Sequence, residues 1–274
     1  MIESARTIES MSAVMNKTLT FTKASACGND FLIAPGEGVE DLSSLSRRIC
    51  DRHHGVGADG VEWTFADSEC DIRVRLFNAD GSEAEISGNG TRCVAAEISS
   101  RTDKKEITVR TAAGVKICRL IEAHGPSYEF ESNMGKAEVG RELAIETMWL
   151  RVIGIVVSMG NPHFVIFVDQ FVHGWQKQAA LIQTQSHFPQ GTNIEYVIAR
   201  SRGEIEIRLF ERGVGETMSS GTGSCASAVA AIASGRAVSP VKVVAPGGTQ
   251  VVSWNENVFL RGPATLICRG EFVY

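Results

Sequence analysis

Short runs of β-branched and aromatic residues, closed off by turn residues, recur along the chain from Leu19 onward and predict strands. In the first half these runs are Leu19–Lys23, Phe31–Ala34, Ile72–Phe77, Ile107–Thr111 and Val115–Leu120. The second half carries Val152–Ser158, Phe164–Val168, Ile205–Phe210, Val241–Val244 and Val258–Leu260. Helical spacing enters at Leu42–Asp51, where Leu42, Leu45 and Ile49 share a face, with a weaker counterpart at Trp175–Thr184. Two further segments, Asn89–Ser99 and Thr222–Ser234, are full of Ala, Val, Ser and Cys, with hardly a charge in the second. A helix that is small or apolar all round is a buried one. Gly235 supplies a C-terminal cap for the second.

The two halves are versions of one another. DIRVRLF at Asp71–Phe77 returns as EIEIRLF at Glu204–Phe210, each position 133 residues after its match. At the same spacing Glu83 meets Glu216, Ser87–Gly88 meets Ser220–Gly221, and Gly90–Thr91 meets Gly223–Ser224. Phe31, Ile33 and the triplet Val61–Trp63 also find partners, in Phe164, Ile166 and Ile194–Tyr196. A register held over that distance predicts a duplicated α+β fold. Each of its two pseudo-symmetric domains wraps strands around one buried helix whose N-terminus points at the other domain.

Composition narrows the picture. The 274 residues suffice for two domains, and 43% hydrophobic with 22% charged residues is ordinary for a globular protein. A net charge of −5 without a basic run argues against a nucleic-acid partner. No apolar stretch reaches the ~18 residues that span a bilayer, so no membrane association is expected. Residues 1–16 lack the apolar stretch and cleavage site of a signal peptide and read as a loose extension. Seven scattered cysteines without a C-x-x-C pair point to a reduced, cytoplasmic protein. Metal-ligand spacings are missing, so no metal is expected, and the adjacent His53 and His54 would point different ways.

The chemistry gathers at the repeated turn. A helix N-terminus exposes unpaired N–H groups and the positive end of the helix dipole, and glycines let a ligand approach the backbone. Gly88-Asn89-Gly90 and Gly221-Thr222-Gly223 are therefore two anion cradles. Singly, Ser87 and Ser220 read as N-caps; doubled, they become the two sides of one site. Asn29, Asn78, Asn161, His163, Asn193, Glu211 and Arg212 are polar residues that mostly fall in Gly-rich or Pro-containing turns. Each alone reads as a turn or surface residue, but together they line one predicted cleft.

These residues resemble a known family. FNADGSEAEISGNGTRC at Phe77–Cys93 and ERGVGETMSSGTGSC at Glu211–Cys225 are similar to the two signatures of diaminopimelate epimerases. DRHHGVGADG at Asp51–Gly60, MGNPH at Met159–His163 and GTNIE at Gly191–Glu195 match further blocks in the same order. The resemblance runs from about Leu19 to the C-terminus. It implies a homodimeric epimerase that uses no pyridoxal phosphate or other cofactor and interconverts L,L- and meso-diaminopimelate for lysine and cell-wall synthesis. It also implies that the last strand returns to complete the first domain, giving domains at 17–132 plus 263–274 and at 133–262. Asn29, Asn78, Asn161, Asn193, Glu211 and Arg212 would hold the ends of the amino acid. Gly88–Asn89 and Gly221–Thr222 would bind the carboxylate at the reacting carbon, while His163 and Glu211 would orient or assist the acid/base pair.

The departure lies at that pair. The family uses two cysteines on opposite faces of the α-carbon, and here both positions are serine, Ser87 and Ser220. A thiol with a pKa near 8.5 suits proton exchange at neutral pH; a hydroxyl needs a strong neighbouring base. Three readings stay open: an epimerase with altered acid and base, a relative that dehydrates hydroxy-amino acids, and an amino-acid binding protein without turnover.

Overall fold

The structure is a computed structural model that describes residues 17–147 and 150–274; the expected extension at 1–16 lies outside them. The first half begins with β1 (Thr18–Ala26), β2 (Asn29–Pro35), α1 (Leu42–Cys50), β3 (Gly60–Phe65), β4 (Ile72–Asn78) and β5 (Glu83–Ala84). It continues with α2 (Gly88–Ser99), β6 (Glu106–Thr111), β7 (Gly114–His124) and β8 (Ser127–Gly135). Then come β9 (Glu138–Thr147), β10 (Leu150–Ser158), β11 (Pro162–Phe167), α3 (Trp175–Gln183), β12 (Asn193–Ser201), β13 (Glu204–Glu211) and β14 (Gly215–Thr217). The chain ends with α4 (Gly221–Ala233), β15 (Val241–Ala245), β16 (Gly248–Trp254) and β17 (Val258–Val273).

The pairing draws two barrels. In the first, neighbours run β1–β2–β3–β4–β6–β7–β8–β17 and β17 returns to β1, which closes the ring. The second runs β9–β10–β11–β12–β13–β15–β16–β17. The sequence repeat is a repeat of connections as well. β2 and β3 pair in parallel, as do β11 and β12, and β4 meets β6 in the way β13 meets β15. β17 belongs to both rings: Val258–Arg261 pair with β16, and Thr265–Val273 with β1.

Each set of strands wraps its small-residue helix. Cys93, Val94, Ala95 and Ala96 of α2 sit in a core with Ile107, Val109 and Phe130. Cys225, Ala226, Ala228 and Val229 of α4 pack with Ile205, Ile207 and Leu209. Small side chains over most of each helix let the strands surround it closely. The alternating β13 sequence EIEIRLFE buries its Ile205, Ile207 and Leu209 positions and leaves the rest half-covered.

The outer helices cover the opposite face of the sheet. Asp41 caps α1 by accepting the Ser44 N–H at 2.9 Å. Leu42, Leu45 and Ile49 pack with Val61 and Trp63 of β3, and Trp63 Nε1 donates to Ser46 Oγ at 2.9 Å. In the second half α3 covers Ile194 and Tyr196 of β12 in the same way. Since α1 takes Val61 and Trp63, the strand period turns Glu62 between them into the barrel. Glu195, between Ile194 and Tyr196, is turned inward likewise.

Candidate active site

Ser87 and Ser220 are the caps of the two central helices. Ser87 Oγ accepts the Gly90 N–H at 3.0 Å, and Ser220 Oγ accepts the Gly223 N–H at 3.3 Å. The backbone carbonyls of the same serines take the N–H of Thr91 at 2.8 Å and of Ser224 at 2.9 Å. In each first turn this leaves two N–H groups without a partner among the described residues, those of Gly88 and Asn89 and of Gly221 and Thr222. These four donors are the ones that could hold a carboxylate.

The two caps meet at the seam between the barrels. Asn89 Nδ2 lies 3.5 Å from Ser219 Oγ, the residue before the second cap, and donates to Asn29 Oδ1 at 2.8 Å. The β1–β2 turn presses into the same seam. Gly28, at φ +86°, leaves so little room that a Cβ there would lie 2.8 Å from Gly247 Cα and 3.2 Å from Met218 Cβ. Cys27 beside it holds a φ of 47°, a left-handed conformation rare outside glycine. Arg92, 2% exposed, ties the seam from within. Its guanidinium donates to Asn89 Oδ1 and to Pro263 O (3.2 Å).

The other sequence-selected residues fall into two groups. Around Ser220, His163 is fully buried and bridges two partners: Nδ1 to Glu195 Oε1 at 2.7 Å and Nε2 to Asn161 Oδ1 at 3.0 Å. Asn161 Nδ2 reaches Thr222 Oγ1 at 3.4 Å, so the histidine touches the second cradle through one amide. Burial pushes the Glu195 carboxyl above the usual range, His163 draws it back down, and the nearby Glu211 adds to the rise. Asn193 donates to Pro162 O at 2.9 Å and accepts the Arg212 N–H at 2.9 Å. The Arg212 guanidinium donates to Gln190 O at 3.2 Å, which ties it to the Gly191 turn.

Around Ser87, Asn29 donates to Asp59 Oδ2 at 3.0 Å, within a cluster of Lys23, Asp30, Arg52 and Asp59. Burial raises the Asp30 carboxyl, but hydrogen bonds and charge from Arg52 and Lys23 outweigh it and hold it below the usual range. Asn78 is exposed and donates to Ser82 Oγ at 3.0 Å, inside its own turn. A separate recess on the first barrel, lined by Thr20, Ile33, Thr64, Val94 and Glu97, lies apart from the caps.

Sequence reasoning passed over three residues of the site, Glu62, Arg92 and Glu195. Glu62 is 1% exposed, sits beneath α2 as Glu195 sits beneath α4, and burial pushes its carboxyl up to about 8. The signal was present in the repeat, which sets a glutamate at the same place in two otherwise apolar strands.

Comparison with known proteins fits this layout. A sequence model described as diaminopimelate epimerase matches residues 21–139 and 155–267, which include both caps. The chain belongs to the diaminopimelate epimerase family. Among curated relatives, the diaminopimelate epimerase of Pelotomaculum thermopropionicum is 40% identical over 276 residues, covering 93% of this chain and 99% of the relative. That of Methanococcus maripaludis is 33% identical, covering 92% and 99%. Two solved structures share the two-domain fold at low identity. A PhzF-family phenazine biosynthesis protein from Bacillus anthracis has a TM-score of 0.69 at 16% identity, over 93% of this chain and 99% of that one. A hydroxyproline epimerase from Agrobacterium vitis, with bound trans-4-OH-L-proline, has 0.66 at 14% identity, over 93% and 92%.

Proposed function

We propose that this family member interconverts L,L- and meso-diaminopimelate by moving a proton at one α-carbon, without pyridoxal phosphate, with Ser87 and Ser220 on opposite faces. The observation that carries this reading is the meeting of two serine-capped helix N-termini at one seam, each with two N–H groups unspent. The carboxylate beside the reacting carbon sits on the donors of Gly88, Asn89, Gly221 and Thr222, where the helix dipoles also favour negative charge. Breaking the Cα–H bond leaves an electron pair that spreads into that carboxylate, so the same donors stabilise the intermediate charge. Asn29, Asn78, Asn161, Asn193, Glu211 and Arg212 hold the remaining amino and carboxyl ends, and His163 with Glu211 supports the acid/base pair.

Full-length similarity to named diaminopimelate epimerases supports the substrate. Further parts of the reading are a homodimer and a cytoplasmic location, the latter supported by seven free cysteines. No helix among the described residues is long and apolar enough to cross a membrane.

Deuterium exchange at the α-carbon, with each diaminopimelate isomer in heavy water, tests the reading. Label appearing in both isomers supports an epimerase. Tight binding without label makes the chain a binding protein, and neither binding nor label removes diaminopimelate as the ligand.

A further inference from the structure

We propose that Glu62 is the proton acceptor for the Ser87 hydroxyl, a serine–carboxyl relay that serves the first-barrel face of the site. The inference rests on the reading above that Ser87 faces the reacting carbon. It concerns how a hydroxyl can do there what a thiol does more easily.

Glu62 points into the barrel because its neighbours Val61 and Trp63 pack against α1. Its Oε1 is buried and has no hydrogen-bond partner. Burying a carboxyl unsatisfied costs stability that a leucine at the same place would not, so the position calls for another explanation. Oε1 lies against the first turn of α2: a Cβ on Gly90 would collide with it, and the same point is 3.3 Å from Ser87 Cβ. The second half repeats this. A Cβ on Gly223 would lie 3.1 Å from Glu195 Oε1 and 3.2 Å from Ser220 Cβ.

The asymmetry between the halves is informative. Glu195 has His163 as a partner, whereas no described side chain pairs with Glu62. Ser87 Oγ meanwhile accepts the Gly90 N–H and has no acceptor for its own hydrogen among the described residues. An unpaired buried acceptor and an unpaired donor therefore face the same glycine. They are not bonded to each other here, and the relay requires the serine hydroxyl and the carboxyl to turn toward one another beside Gly90.

The step balances without an alkoxide. The Cα–H bond of the amino acid breaks and its proton passes to Ser87 Oγ. The Oγ–H bond breaks as its proton passes to Glu62 Oε1, and the electron pair remains on the α-carbon and its carboxylate. Ser220 then delivers a proton to the opposite face and is reprotonated from the Glu195–His163 pair. A carboxyl that burial lifts to about 8 is a stronger base than an ordinary glutamate once ionised.

The test measures exchange with retention of configuration, which isolates each face. Glu62→Gln keeps the shape of the side chain and removes the base. Exchange from the isomer whose proton points at Ser87 is expected to fall about 100-fold or more. Exchange from the other isomer and the Kd for both should stay within about threefold, and Glu62→Asp should restore part of the loss. The rate on the Ser87 face should also rise with pH through about 8, and Glu62→Gln should flatten that rise. Equal loss on both faces would assign Glu62 a structural role, and no loss on either would remove it from the reaction; both outcomes overturn the proposal.

Should the wild-type chain exchange neither isomer, the epimerase reading fails, and a second measurement still decides the contact. The thiol of Ser87→Cys, followed by its thiolate absorbance against the parent chain, should ionise about one pH unit lower once Glu62→Gln is added. An unchanged midpoint would overturn the pairing of Glu62 with position 87.

Discussion

Glu195 holds Nδ1 of His163 at 2.7 Å, and both side chains are sealed from solvent at 1% and 0% exposure. A buried pair of this kind makes its removal one-sided: deleting either partner strands the other. His163→Ala should destabilise the fold by about 3–5 kcal/mol, because Glu195 is left without its partner. Glu195→Gln retains an oxygen acceptor for the ring and should cost about 1 kcal/mol. Urea unfolding of both variants checks the order. A His163→Ala chain as stable as wild type would show that the pair does not hold the second barrel around Ser220.

The caps themselves give the most direct functional prediction. Ser87→Cys with Ser220→Cys places a thiol on each face, and a thiol reaches its anion far more readily than a hydroxyl at neutral pH. The double variant should raise α-carbon exchange by about 100-fold or more. Each single variant should speed exchange chiefly from one isomer. No gain in the double variant would mean that the residues holding the substrate, not the serines, set the rate.

The fold was legible wherever the two halves agree. The doubled strand and the small-residue helices marked α2 and α4 within a residue of their bounds, because burial on all sides leaves a composition that nothing else explains. β8 and β9 gave no such signal. Phe130 is the one fully buried side chain of β8, and Ile145 that of the described β9 positions, so neither strand alternates. β8 is held by pairing with β17, far along the chain, and β9 by its hairpin with β10. Glu62 was hidden differently. An apolar-Glu-apolar triplet reads as a strand with its glutamate in water, and only the packing of α1 on the opposite face turns it inward. Glu211, expected just past the repeated strand, is its last residue in β13, paired with Gly215.

Gly90 offers a test in which local and tertiary effects have opposite signs. In a free helix, alanine is better than glycine by about 1 kcal/mol. Here the added Cβ would meet Glu62 Oε1, so Gly90→Ala should destabilise by about 1–3 kcal/mol. In a Glu62→Ala background the obstacle is gone, and the same substitution should be neutral or stabilising. A coupling below about 0.5 kcal/mol in this double-mutant cycle would show that the two side chains do not share the space.

Glu62 also sets a pH dependence whose sign follows from its raised pKa. The folded chain keeps the proton up to about 8, whereas the unfolded chain releases it near the ordinary value of 4.5. Between those limits the unfolded state binds fewer protons, so stability falls as pH rises and levels off above about 8. Glu62→Gln removes that dependence. It should change stability little at pH near 4.5 and raise it relative to wild type by an increasing margin, on the order of a few kcal/mol by alkaline pH. Urea denaturation of the two chains across that range measures the difference directly. A difference that stays constant with pH would mean that Glu62 ionises in the folded protein as it does in water, which is incompatible with a carboxyl sealed beneath Ser87.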